Sequence, residues 1–168
     1  MSTIVKVNTY SHSVTHVTDN ILSGIKRIIL LSGLSLDKIT QDWSVLEAGI
    51  GKWLLTKDLK TVTLEVYTPI TSSLVGRWDF EIDYTYSTGA DGNLWADVDA
   101  IKFAIKKVGL IPSTCTYRIL ADTKPGRPAV SGWTTTSYLS TAGFTKRPIG
   151  TTIGATYLGA GTSYYSKP

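Results

Sequence analysis

From residue 110 onward the chain contains no Glu and one Asp, yet it holds seven of the 15 Gly, five of the six Pro and twelve Thr. Such a stretch resists helix formation, because Gly and Pro are the weakest helix formers and Thr loses rotamer freedom against the preceding turn. The same residues suit short strands joined by turns, so the last third is expected to be β-ribbon and long loops. Disorder is the competing reading of this composition. Tyr117, Trp133, Tyr138, Phe144, Tyr157, Tyr164 and Tyr165 argue against it, being too many aromatics for a solvated, uncollapsed segment. A connection longer than roughly 15 residues is uncommon in a compact domain unless it has a task, so a tail of this size points to function. Charge divides at the same place: Arg118, Lys124, Arg127, Lys146, Arg147 and Lys167 against Asp122 give residues 110–168 a charge of +5, while 11 basic and 12 acidic residues give the first 109 a charge of −1.

The earlier part follows the helical period. Val14, Val17, Ile21, Ile25 and Ile28 recur at spacings of three and four, which predicts a helix over about 13–32 stopped by Gly33. Ser35 is the expected N-cap of a second helix, with Asp37 in its first turn and Ile39, Trp43, Leu46, Ile50 and Trp53 on one face. Before both, residues 3–9 alternate weakly and are read as a short edge strand. Val62, Leu64 and Val66 alternate with Thr61, Thr63, Glu65 and Tyr67; after a polar turn, Gly76, Trp78, Phe80, Ile82 and Tyr84 alternate with Arg77, Asp79, Glu81 and Asp83. This predicts a hairpin with one solvated face. A Gly-rich turn at 87–93 leads to a third helical stripe, Val98, Ile101, Ile105 and Val108, expected to be the spine of the core and ended by Gly109 and Pro112. Cys115, Tyr117, Ile119 and Ala121 then alternate with Thr114, Thr116, Arg118 and Leu120 as a strand closed by the turn Lys124-Pro125-Gly126-Arg127-Pro128, and two weak β runs follow near 151–153 and 157–165. The order is α-α-β-β-α-β plus the tail, an α+β fold.

At 168 residues the chain is read as one domain, 1–168, with a core platform over 1–121 and a distinct C-terminal segment over 122–168. No run approaches the 18 or so apolar residues of a membrane span, and the first residues lack a charged start before an apolar stretch, so no membrane partner and a cytoplasmic location are expected. The net charge of +4 is mild and spread out, which does not call for nucleic acid. The lone Cys115 excludes an internal disulfide and a cysteine zinc site and is expected to be a buried thiol.

Catalytic and metal chemistry is offered and mostly fails. His12 and His16 stand one helical turn apart with Asp19 nearby, but no general-base Glu follows His12, and a polar helix start explains them better. Asp91, Asn93, Asp97 and Asp99 hint at an oxygen-ligand loop, yet Trp95 occupies the third ligand position and Lys102 stands where a bidentate Glu belongs. The glycines at 150, 154, 159 and 161 do not join a strand to a helix, so they form no phosphate cradle. No metal and no cofactor are expected. A small hydrolase using Asp79, Glu81 or His12 stays open, although alternation on a solvent face accounts for the carboxylates. The pattern points to a binding protein, not an enzyme.

One block carries more. Leu64-Glu65-Val66, a turn, and Leu74-Val75-Gly76-Arg77-Trp78-Asp79-Phe80-Glu81-Ile82 resemble the hairpin of HORMA-domain proteins, whose spindle-checkpoint members carry an Arg-Trp-polar-Phe-acidic-Ile strand before the central helix. The order persists: Cys115-Thr116-Tyr117-Arg118-Ile119-Leu120 follows the helix as a Cys-Ser-aromatic-x-x-Leu strand does in that family, Trp133 sits after it, and Thr151-Thr152-Ile153 echoes a late Thr-Thr-Ile. Without extensions, the chain most resembles the bacterial HORMA proteins encoded beside cyclic-oligonucleotide synthases in antiphage (CBASS) operons. It departs from the checkpoint pattern at 32–37, too short for the hairpin those proteins place between the first two helices.

The resemblance implies three helices packed on an antiparallel sheet, with the C-terminal ribbon as a mobile safety belt that wraps over a partner's extended peptide. It implies a closure-motif peptide bound at Cys115, Thr116, Tyr117, Arg118, Ile119, Leu120, Ala121 and Trp133, with Arg77, Trp78, Phe80, Thr151, Thr152 and Ile153 in belt and sheet pairing. Further implied partners are a CD-NTase-type nucleotidyltransferase activated by the closed form and an AAA+ remodelling ATPase that grips Ser2, Thr3, Ile4 and Val5. The alternative is a structural or assembly protein whose aromatic ribbon docks permanently on a neighbour. The peptide is expected along the outer edge of 115–121, extended and apolar at alternate positions, selected by Tyr117, Ile119 and Trp133, with Arg118 and Lys124 at the rim. Trp133 is read as a belt lock, against the plainer reading of an ordinary core Trp.

Overall fold

The computed structural model describes residues 2–4, 9–86 and 94–167. Two helices open the chain, α1 (Thr9–Leu31) and α2 (Asp37–Leu55), followed by a long hairpin, β1 (Leu59–Thr68) and β2 (Ser73–Asp83). A two-residue β3 (Trp95–Ala96), α3 (Val98–Val108), β4 (Thr116–Thr123), β5 (Thr145–Ala155) and β6 (Leu158–Ser166) complete it. The strands form one antiparallel sheet in the order β3-β5-β6-β2-β1-β4. The expected α+β class holds, with three helices among the described residues.

The spine of the core is α1 rather than α3. Val17, Ile21, Leu22, Ile25 and Ile29 are wholly buried, and Val14 and Ile28 nearly so. At about 1.5 Å per residue a 23-residue helix spans roughly 34 Å, enough to pack on both other helices and on the sheet, whereas α3 has 11 residues and buries only Ile101, Ala104 and Ile105. The sheet answers with Val62, Leu64, Val66, Trp78, Phe80, Ile153 and Ala160.

Several local expectations are corrected. Residues 2–4 are in no strand and Thr9 already opens α1, so the edge strand at 3–9 does not form there; 5–8, and with them Val5, lie outside the described residues, as does the turn at 87–93 with Asp91 and Asn93. Ser35 is not the N-cap of α2: Leu36 holds that position without a side-chain cap, and Ser35 Oγ accepts from Asp37 N–H at 3.2 Å, closing a tight turn one residue early. The strand expected at 115–121 runs from Thr116 to Thr123, leaving Cys115 buried just before it. The run expected near 151–153 extends over Thr145–Ala155, because β5 carries Pro148 and Gly150 with register shifts around them, which break a clean alternation, while the run expected at 157–165 forms as Leu158–Ser166.

The largest correction concerns the hairpin face opposite the helices. Its centre is not solvated: Thr63 and Glu65 are fully buried and Asp79 is 3% exposed, while Glu81 and Asp83 toward the end of β2 stay exposed. Their cover comes from residues 136–139.

Candidate functional site

β4 ends the sheet. Its inner side pairs with β1 in a long ladder from Tyr67↔Thr116 to Leu59↔Thr123, and among the described residues no strand pairs with its outer side. Such a row of backbone groups is a template for another strand.

The chain leaves β4 toward α2. Lys124 N–H donates to Asp58 O at 2.8 Å, and a turn at Pro125 and Gly126 sends the chain along the helix. Trp53 Nε1 donates to Pro128 O at 2.8 Å, and the Arg127 guanidinium lies 4.8 Å from the Trp53 ring. Trp133 then docks on α2: its Nε1 donates to Val45 O at 2.9 Å and its ring meets Trp53 edge-on at 4.9 Å. This seat requires glycine on the helix, since a Cβ at Gly49 would stand 2.2 Å from Trp133 Nε1.

Six residues later the same segment is on the other face of the sheet. Leu139 N–H donates to Glu65 Oε2 at 2.8 Å, and Arg118 joins strand to belt, donating to Glu65 Oε1 at 2.6 Å, Thr136 Oγ1 at 3.1 Å and Ser137 O at 2.6 Å. Tyr138 caps the Arg77 guanidinium at 4.1 Å, with Tyr165 behind it at 4.8 Å; Arg77 in turn grips Asp79 through both carboxylate oxygens, and Thr63 donates to Asp79 Oδ1 at 2.8 Å. Burial pushes the Tyr138 hydroxyl above its ordinary pKa, so it stays a neutral partner for Thr63. Paired this fully, the buried carboxylates are supported rather than stranded.

Residues 127–139 therefore arch around the free edge of β4 from the helix side to the far side. Between arch and edge lies a cleft of about 400 Å³ lined by residues 119–123, Arg127 and residues 134–138. A smaller hollow of about 130 Å³ opens on the helix side of the same edge, between Ile39, Asp42 and Leu46 of α2 and Tyr117 and Ile119 of β4. A strand laid along β4 would send alternate side chains to the two sides.

The expected site residues fall into three groups. Ile119, Leu120 and Ala121 line the cleft, with Trp133 anchoring its arch. Tyr117 is mainly a strut, 4% exposed, its hydroxyl donating to Ser35 O at 2.8 Å and accepting from Ile39 N–H at 3.1 Å; burial raises its pKa. Cys115 is buried, Thr116 pairs with Tyr67, and Arg118 is held by Glu65 and the belt instead of standing free at a rim. Lys124 points its ammonium over the Tyr84 ring and does not line the cleft. In the second group Arg77, Trp78 and Phe80 face Tyr165, Tyr164 and Thr162 of β6, and Thr151 and Ile153 face Gly161 and Ala160, so β6 lies between β2 and the Thr151-Thr152-Ile153 segment. Thr152 is buried and shares a hydrogen bond with Thr162 at 2.7 Å. Third, Ser2, Thr3 and Ile4 are exposed and outside any element.

Catalytic alternatives find little. His16 Nε2 donates to Trp95 O at 2.9 Å and ties α1 to β3, while Nδ1 meets the Asn20 amide at 3.2 Å one turn along the same helix, so both ring nitrogens are engaged. Asp79 is buried in its own network, Glu81 pairs with Lys146, and both lie on the sheet face away from the helix that carries His12. Among the described residues no three His, Cys, Asp or Glu gather where they could hold a metal ion. No described helix is long and apolar enough to cross a membrane. Sequence reasoning missed Glu65, Thr63 and the 136–139 crossing, because an acid alternating with threonines reads as a wet strand face.

A helix layer on a six-stranded antiparallel sheet, closed by a C-terminal segment that arches over the end strand, defines a HORMA-type domain. The sequence matches the family Bacterial HORMA domain 2 over residues 1–168, and the chain belongs to that family. No curated protein matches the sequence. Among solved structures, the chain is similar to one in the mitotic checkpoint complex, with a TM-score of 0.73 at 12% identity, covering 94% of this chain and 99% of that one. It is also similar to C. elegans HTP-2 bound to the HIM-3 closure motif, with a TM-score of 0.61 at 14% identity over 97% and 98% of the two chains. A chain of the E. coli MS115-1 CdnC:HORMA-deltaN complex matches with a TM-score of 0.63 at 9% identity over 99% and 94%.

Proposed function

We propose that this protein is a peptide-binding signalling adaptor. It takes an extended closure-motif peptide of a partner along the outer edge of β4, closes residues 124–144 over it, and in that closed form binds and activates a CD-NTase-type nucleotidyltransferase in bacterial antiviral defence. The observation that carries the reading is an end strand with an unpaired outer side, encircled by an arch tied to α2 through Trp133 and to the far sheet face through Leu139 and Glu65. A peptide there would gain main-chain bonds from the strand and be held by chain topology as well as by contacts. The CdnC:HORMA-deltaN similarity supports a CD-NTase as the effector, and the HTP-2 similarity supports a closure motif as the ligand. In this reading the reset falls to an AAA+ remodelling ATPase acting on the exposed N-terminal residues, and the protein works in the cytoplasm.

Selection from a displayed peptide library followed by titration calorimetry tests the first half. The expected ligands are extended and apolar at every second position, and Ile119→Pro, which removes an N–H from β4, is expected to reduce binding at least tenfold while the chain still folds. Equal binding by that variant and by Ala121→Pro would place the peptide elsewhere. Nucleotide synthesis by a co-encoded synthase, assayed with the adaptor with and without its selected peptide, tests the second half. Concentration-dependent oligomers with no peptide requirement would favour an assembly role instead.

A further inference from the structure

Away from the arch, the C-terminal half of α1 and the outer side of α3 leave apolar surface uncovered. Leu30 is 55% exposed, Leu31 44% and Leu110 82%. Two hollows lie there: one of about 450 Å³ between Lys26, Arg27, Leu30, Leu31 and Lys102, the other of about 400 Å³ between Leu31, Lys102, Ile105, Lys106 and Leu110. They share Leu31 and Lys102, so they form one groove running from Ser23 past Leu31 to Leu110.

Its charge is one-sided. Lys26, Arg27, Lys102 and Lys106 line it, none of its lining residues is acidic, and none of these four cations has an ion-pair partner among the described residues. Lysine and arginine stems often cover apolar surface, but leucines this exposed beneath an unpaired cationic rim form a surface with both apolar and electrostatic demand. We infer that this groove receives an acidic amphipathic helix of a partner protein. Along α1 the lining residues 23 to 31 span roughly 12 Å, the length of about two helical turns. Leucine-type side chains at i, i+3 or i+4, and i+7 would fill the two hollows, and Asp or Glu on the flanks would meet the four cations, speeding encounter and fixing register. Concavity separates this partner from the other anions. Two hollows of about 400 and 450 Å³ between α1 and α3 have room for leucine-type side chains, and a phosphate backbone gains nothing from burying leucine. The site is independent of the peptide cleft, lying on α1 and α3 rather than on β4.

Fluorescence anisotropy on the full chain tests this with a synthetic acidic amphipathic peptide of about four turns, Leu on one face and Glu beside it. Controls are a scrambled peptide of the same composition, phosphatidylserine vesicles and duplex DNA. The expected result is saturable binding about tenfold tighter than to the scramble, lost about tenfold with Lys102→Glu or Leu110→Ser and unchanged with Trp133→Ala. Lys106→Glu and Leu30→Ser provide a second pair should either first variant melt early. No preference over the scramble, or equal binding by all groove variants, overturns the proposal. Vesicle or DNA binding stronger than peptide binding reassigns the groove to a membrane or to nucleic acid.

Discussion

The two faces of the single sheet are closed by opposite chemistry. Toward α1, Val62, Leu64, Val66, Trp78 and Phe80 make a dry contact that depends only on shape and on removing apolar area from water. On the other side, Thr63, Glu65, Arg77 and Asp79 are covered by four belt residues through directional bonds to Arg118, Tyr138 and Leu139. A dry face tolerates small shifts with a graded loss. The polar network under the strap depends on bonds of fixed geometry: releasing the strap takes the Leu139 N–H from Glu65 and the Thr136 and Ser137 oxygens from Arg118, while the Glu65–Arg118 and Asp79–Arg77 pairs stay with the sheet.

The sharpest way to break the contrast is Arg118→Ala. It leaves the Glu65 carboxylate, 0% exposed, without its cation, and about 3 to 5 kcal/mol of stability should disappear in urea unfolding. A loss under about 1 kcal/mol would mean that the belt face is as forgiving as the helix face. Next, Gly49→Ala places a methyl where Trp133 Nε1 sits, while favouring α2 by about 1 kcal/mol in helix propensity. Together with Trp133→Ala, which should cost about 2 kcal/mol for a half-buried indole and its edge-on partner Trp53, it should weaken peptide capture by more than it changes the peptide-free melting temperature. Equal losses in both states would make Trp133 an ordinary core residue. Hydrogen exchange sharpens the comparison without mutation: peptide should change protection from residue 124 onward and at β4, and leave α1 and α3 alone. Changes centred on α2 would sink that division. Smallest of all, Lys146→Ala removes an exposed pair with Glu81 on the same strand face, beyond the strap, and should shift stability by less than about 1 kcal/mol.

The helices were legible because each buries one stripe, and a stripe has a period: Val14 to Ile28 and Ile39 to Trp53 are found where the spacing places them. The strands of the β1–β2 hairpin were legible for the same reason with period two, while the place of β4 beside β1 was implied only by the family resemblance. The far face was not. Glu65 and Asp79 alternate with apolar residues as solvent-facing acids do, and only the return of the chain at residues 136–139 makes them buried. The position of β6 between β2 and β5 was also hidden, because a Gly- and Thr-rich ribbon places few large residues on one face and so leaves register to its neighbours.

The sequence by itself determined the α+β class, the three helical stripes, a strand near 115–121 and the break near residue 110 that separates platform from tail, since these depend on local period and composition. Only the tertiary structure decided that Trp133 would find Gly49 and Val45, that Arg118 would bind Glu65 and Ser137 at once, and that the segment between would arch over an open strand edge. Those contacts join residues 19 to 88 positions apart, and no local pattern carries the partner of a hydrogen bond made across the fold.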